Sequence, residues 1–203
     1  MKPLPITKIE YGEFQKAYAF LNDELFEGAL PNILVTLQRL SRAHGYFSPN
    51  RFSNREADIS VHEIALNPDG FVNRTDEEII STLAHEMVHL WQHAYGKPGR
   101  RGYHNLQWAK KMKEVGLQPS DTGEENGKET GERVSHYIVG GGPFSKAYKK
   151  LEAKGIQLHW QSIPKRGAGK TKFSCSNCGQ NAWAKPDAWL LCGACNGARM
   201  SGK

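Results

Sequence analysis

Residues 75–96 read TDEEIISTLAHEMVHLWQHAYG, and this stretch decides the fold. Thr75 followed three positions later by Glu78 is a capping box: the hydroxyl accepts from a first-turn N–H while the carboxylate reaches back to the cap. Asp76 and Glu77 suit the positive end of the helix dipole. Ile79, Ile80, Leu83, Ala84, Met87, Val88, Leu90 and Trp91 then put apolar side chains on most faces. The pattern predicts a buried central helix that stops near Gly96, with Pro98 just beyond.

Inside that helix His85, Glu86 and His89 form His-Glu-x-x-His. Residues four apart share a helix face, so the two histidines can grip one zinc ion through imidazole nitrogens. Glu86 sits next door, where its carboxylate can take a proton from a water on the metal. The constellation is that of a zinc peptidase, and it needs a third protein ligand and one open position.

His93 repeats the spacing, but at 1.5 Å per residue it lies about 12 Å along the axis from His85, too far to share a metal. It reads as a surface residue. The extended metzincin pattern is excluded, because Gln92 stands where that pattern has glycine and Tyr95 where it has its third histidine. His104 is the preferred third ligand, since it follows the Gly96 to Gly102 turn and opens the next helix. Glu114, late in that helix, competes and would give a site of two histidines and one carboxylate.

Working outward toward the start, Phe14, Ala17, Tyr18, Leu21 and Leu25 mark an amphipathic helix over residues 11–27, ended by Gly28 and Pro31. Residues 33–40 (ILVTLQRL) and 57–66 (ADISVHEIAL) read as strands, with 45–54 turning between them. Toward the end, Leu106, Ala109, Met112 and Val115 predict a helix over 103–115. The acidic, glycine-rich stretch 121–131 (DTGEENGKETG) cannot bury a core and reads as an exposed loop. A strand follows over 133–139, then Gly140 to Pro143. Tyr103, His136 and Tyr137 are candidates to stabilise an oxyanion.

All four cysteines fall in two Cys-x-x-Cys pairs, Cys175 with Cys178 and Cys192 with Cys195. In a reducing compartment this spacing reads as a closed, all-thiolate structural zinc site. So small a module lacks a self-sufficient core, and metal binding worth on the order of 10 kcal/mol should carry its folding. Trp183 and Trp189 lie between the knuckles, where they could pack on the small sheet or stack on unpaired bases, and one of them is expected to pack.

Between Ser145 and Lys172 stand eight cations (Lys146, Lys149, Lys150, Lys154, Lys165, Arg166, Lys170 and Lys172) and one acid, Glu152, a local charge of 8 − 1 = +7. The whole chain carries 27 − 21 = +6. Such a stripe suits a phosphate backbone bound without sequence preference, or is a solvated linker. Lys97, Arg100, Arg101, Lys110, Lys111 and Lys113 form a second basic cluster near the candidate catalytic helix.

At 203 residues and 38% hydrophobic, the chain has room for one ordinary domain and a small module, which excludes a large multidomain enzyme. No apolar run approaches the roughly 20 residues that cross a bilayer, and the start lacks a secretory h-region. A cytoplasmic protein is expected, nucleoid-associated if it binds DNA, with no membrane partner.

FLNDELFEGALPNILVTLQR (20–39), LAHEMVHLWQH (83–93), GYHNLQWAKKM (102–112) and the four-cysteine ribbon, in this order, resemble the SprT-like metalloproteases, whose eukaryotic members act on proteins crosslinked to DNA. The resemblance implies a catalytic zinc on His85, His89 and His104, Glu86 as general base, and DNA-bound or DNA-crosslinked protein substrates. By analogy with zincins, the strand at 57–66 would border the cleft and offer its edge to an extended substrate. The insert 120–133 and the segment 140–143 have no place in that pattern. The expected architecture is α+β: a zincin-like metalloprotease domain with a central HExxH helix and short sheet over 1–118, an acidic loop, strand and basic connector over 119–170, and a zinc ribbon over 171–203. Two zinc ions are expected, one catalytic and one structural, with DNA, single-stranded or junction-containing, as a partner. Competing readings are a DNA-binding accessory factor with little protease activity and a DNA-independent processing protease.

Overall fold

The computed structural model describes residues 5–41, 43–163 and 169–202. The capping box forms: Thr75 Oγ1 accepts from the Glu78 N–H at 3.2 Å, and Glu78 Oε2 accepts from the Thr75 N–H at 2.7 Å. Helix α2 runs from there, Asp76–Tyr95, and its backbone closes at Gly96. It follows α1 (Ile6–Phe26), β1 (Ile33–Leu37), β2 (Gly45–Ser53) and β3 (Ser60–Leu66). After it come α3 (Leu106–Glu114), β4 (Leu117–Ser120), β5 (Ser135–Ile138) and α4 (Pro143–Ala153). The chain is mixed α+β, with four helices and several small sheets among the described residues.

Ile80, Leu83, Met87 and Leu90 of α2 are wholly buried against Phe14 and Leu21 of α1, Ile64 and Leu66 of β3, Trp108 and Met112 of α3, and Phe144 of α4. The wide apolar surface of α2 thus makes it the hub of one core, and no other placement would bury so many of its faces.

The three-stranded sheet has the order β1-β3-β2, with β1 parallel and β2 antiparallel to β3. Residues 45–53 were expected to turn, yet they form an edge strand. Their sequence, GYFSPNRFS, hides the strand because the register shifts between Ser48 and Phe52, where Asn50 takes φ +47°. β3 is the central strand and both its edges are paired, so it cannot accept a further strand. The free edges of the sheet belong to β1 and β2.

A boundary at 118 does not match the packing. The chain divides into two compact units, Met1–Ile163 and Pro164–Lys203. β4 and β5 pair antiparallel, and Phe144, Ala147, Tyr148 and Leu151 of α4 are buried in the same core as α2. These four recur at helical spacing inside a lysine-rich stretch, and Pro143 opens the helix at its first turn. The expected basic connector is therefore in part a packed amphipathic helix. Residues 121–131 are mostly exposed and without helix or strand, as expected.

The second unit is a four-stranded sheet of order β7-β6-β9-β8, built from β6 (Thr171–Cys175), β7 (Asn181–Ala184), β8 (Leu191–Cys192) and β9 (Ala198–Gly202). Among the described residues its core is Phe173, Cys175, Cys192 and Met200, edged by small or partly buried residues. Among the described residues no helix is long and apolar enough to cross a membrane.

Candidate metal centre

His85 and His89 lie one turn apart on α2, and His104 sits just ahead of α3, so that ligand atoms of all three lie within 4.8 Å of one another. The turn 96–103 brings His104 back toward α2. Gln92 braces it, donating from Nε2 to Asn105 Oδ1 at 2.7 Å, while Asn105 caps α3 by accepting from the Trp108 N–H at 3.0 Å. The ring of Trp108 lies under the cluster, 4.9 Å from His85, 5.2 Å from His89 and 4.3 Å from His104 between centroids. Sequence reasoning gave Trp108 no role, and its place four residues after His104 was the available signal.

The three rings are held neutral. Burial lowers His85 well below the ordinary histidine range, pushes His89 down to about 3 and also lowers His104. Neutral imidazoles offer lone pairs, which is the state a metal requires. Glu86 is 5% exposed, and burial raises its carboxyl to about 8. Three converging neutral nitrogens beside a buried, desolvated carboxyl fit a divalent cation, which would favour the carboxylate.

His104 is fixed from behind. Its Nδ1 lies 3.1 Å from the Gly131 carbonyl, and the backbones of the two residues exchange both hydrogen bonds, at 2.8 and 3.1 Å. The imidazole must therefore donate from Nδ1, leaving Nε2 as its free acceptor. Glu114 is not part of the cluster; it pairs with Lys111 on the exposed end of α3. His93 is exposed, edge-on to His62 at 5.1 Å.

The acidic insert meets the second basic cluster. Glu129 pairs with Lys113 at 2.8 Å and Glu132 with Arg100 at 2.6 Å. Of the oxyanion candidates, His136 has both nitrogens engaged, Nδ1 on His85 at 3.0 Å and Nε2 on Ser81 Oγ at 2.9 Å. Tyr103 carries Arg100 over its ring, 5.3 Å from the centroid.

In the second unit, sulfur atoms of Cys175, Cys178, Cys192 and Cys195 lie within 4.8 Å of one another. Cys178 and Cys192 are 3.6 Å apart, far from a disulfide and close to the roughly 3.8 Å between thiolates around a tetrahedral zinc. Each knuckle turns back on itself, Gly179 N–H donating to the Cys175 carbonyl at 2.9 Å and Gly197 N–H to that of Cys192 at 3.0 Å. The left-handed φ of Gly179, +73°, permits the first of these turns.

The basic stripe is divided. Lys146, Lys149 and Lys150 are exposed on α4 and Lys154 caps its end, Lys150 pairing with Glu24 at 2.6 Å and Lys154 lying 4.6 Å from the centre of the Phe20 ring. Lys170 and Lys172 are exposed in the second unit, and Lys165 and Arg166 lie outside the described residues. Neither ribbon tryptophan packs inside: Trp183 is 60% and Trp189 68% exposed. Lys172 stands opposite Trp183 in the strand register, and Arg199 lies over Trp189 at 4.1 Å.

Residues 14–128, more than half of the chain, match the SprT-like family. An uncharacterized protein in the mucB 3' region of Salmonella typhimurium is 48% identical over 62 residues, which make up 30% of this chain and 80% of that protein.

Proposed function

Since the chain belongs to the SprT-like family, we propose that it is a zinc-dependent endopeptidase acting on DNA-bound or DNA-crosslinked proteins. The family suggests a metalloprotease-type activity; the observation that supports the zinc-peptidase part of the reading is the His85, His89 and His104 triad converging near buried Glu86. His85, His89 and His104 would hold the catalytic ion, and the four cysteines a structural one. A divalent ion bound there supplies Lewis acidity and brings the pKa of water toward neutrality.

Glu86 takes a proton from the attacking water and returns it to the leaving amine. Its carboxyl is confined: a side-chain carbon on Gly45 would fall 3.3 Å from Glu86 Oε1 and 2.8 Å from the Ala65 carbonyl oxygen. Glycine at the start of β2 thus lets the edge strand come close to the base. Of the two free edges, that of β2, the strand beside Glu86, is the place for an extended substrate strand, in the role first expected of β3.

Nucleic acid would be met by the ribbon and by α4. The outer face of the ribbon sheet presents Trp183 and Trp189 with Lys172 and Arg199, a pairing of stacking surface and cation that suits unpaired bases and their phosphates. Lys146 and Lys149 on α4 add sequence-independent attraction. Cytoplasmic location, at the nucleoid, follows from this reading.

The test is cleavage of a DNA-binding protein by the full-length, zinc-loaded chain, with and without single-stranded DNA and with Glu86→Gln alongside. DNA-stimulated cleavage that disappears in the variant is the expected result. Equal cleavage without DNA would favour a processing protease, and DNA binding without cleavage an accessory factor.

A further inference from the structure

We propose that His136 is a positioning residue of the metal centre: it holds His85 in the tautomer whose Nε2 is free for the ion. The inference rests on the metal site described above and adds a residue from β5, beyond the stretch 14–128 that matches the family.

The two Nδ1 atoms of His85 and His136 lie 3.0 Å apart, so a hydrogen bond between them needs one proton and one lone pair. The remaining contacts decide which ring gives. His136 Nε2 is 2.9 Å from Ser81 Oγ, and Ser81 Oγ spends its only proton on the Glu78 carbonyl at 2.8 Å, an oxygen that also takes Arg74 Nη2. The Ser81–His136 link therefore draws its proton from His136 Nε2. A neutral His136 protonated there has a bare Nδ1, which accepts from the Nδ1–H of His85. His85 is then bare at Nε2.

The opposite arrangement fails on the same count. A proton on His136 Nδ1 would place the proton of His85 on Nε2, directed at the other ligands, and would require Ser81 to abandon the Glu78 carbonyl. Ser81 lies one turn before His85 on α2, so a helix carbonyl, a hydroxyl and a second imidazole form one relay that ends at the ligand nitrogen. Gly131 performs the parallel task for His104, five residues earlier on the same strap.

Outer partners of metal-bound histidines fix ring orientation and basicity, and their loss costs about 10- to 100-fold in metal affinity. The experiment uses the full-length protein with the ribbon zinc counted separately, and measures zinc affinity of the histidine site by competition with a chromophoric chelator. His136→Phe, which keeps an aromatic ring and removes the acceptor, should weaken zinc by about 10- to 100-fold. His136→Asn, whose amide oxygen can accept from Nδ1–H, should restore most of it. In metal-free protein, imidazole nitrogen shifts should report His85 as the Nδ1–H tautomer, and Ser81→Ala should mix the two forms.

Unchanged zinc affinity in a folded His136→Phe protein would overturn the proposal, as would equal loss in the Phe and Asn variants, which signals packing alone. Should His136→Phe fail to fold, the tautomer measurement decides: an Nε2–H His85 in the wild type overturns it. Zinc content left unchanged by His85→Ala with His89→Ala would overturn the metal site itself, a separate failure.

Discussion

Glu114 Oε2 lies 3.5 Å from Lys111 Nζ, its neighbour one turn back on α3, and this pairing turns the carboxylate to the helix surface. His104, just ahead of the same helix, faces His85 and His89 instead. His104→Ala should therefore abolish stoichiometric metal at the histidine site while the ribbon keeps its zinc. Glu114→Ala should leave both intact. Metal counting on the two purified variants checks this, and full retention in His104→Ala would remove it from the ligand set.

Phe144 is wholly buried in the core that surrounds α2, although it lies well beyond residue 118. Phe144→Ala should destabilise the first unit by about 3–5 kcal/mol, the usual cost of emptying a buried aromatic site. Denaturant unfolding monitored on the first unit measures it. A chain cut at residue 118 should fail to fold cooperatively; a cooperative transition for that fragment would show α4 to be dispensable.

Glu10 on α1 is 3% exposed, accepts the His159 N–H at 3.2 Å on Oε2, and has no partner on Oε1 among the described residues. Burial raises its pKa above the ordinary value, ahead of the opposing backbone hydrogen bonds. A raised folded-state pKa means that the unfolded chain releases the proton first as pH rises from about 4.5. The stabilising contribution is full below that pH and is lost as pH climbs through the folded-state value. Glu10→Gln should remove this part of the slope, so its advantage in Tm over the wild type should grow from acid toward neutral pH. Thermal scans across that range check it, and a constant difference would contradict it.

The ribbon face offers a separable test of nucleic-acid binding. Trp183→Ala should weaken binding of short single-stranded DNA by about 1–3 kcal/mol with little change in salt dependence, because stacking is lost and charge is kept. Lys146→Ala with Lys149→Ala should instead flatten the dependence of log K on log salt, by about 0.7 for each phosphate contact removed. Fluorescence anisotropy over a salt series distinguishes the two. Wild-type affinity and slope in all variants would remove these residues from the DNA interface, and absence of binding by the wild type even at low salt would separate the protein from DNA.

Some of this molecule is written locally. The cap at Thr75, the face shared by His85 and His89, the position of Glu86 and the two cysteine knuckles depend on spacings of one helical turn or less, and such spacings survive in a bare sequence. Long-range pairing decided the rest. β2 is a strand because β3 satisfies its backbone, not because GYFSPNRFS alternates, and α4 joins the core through four apolar residues set among lysines. The outer partners of the site were equally hidden: Gly131 reaches His104 across 27 positions and His136 reaches His85 across 51. A sequence can place two histidines on one face of a helix; which nitrogen of each stays free depends on hydrogen-bond partners that only folding brings within 3 Å or so.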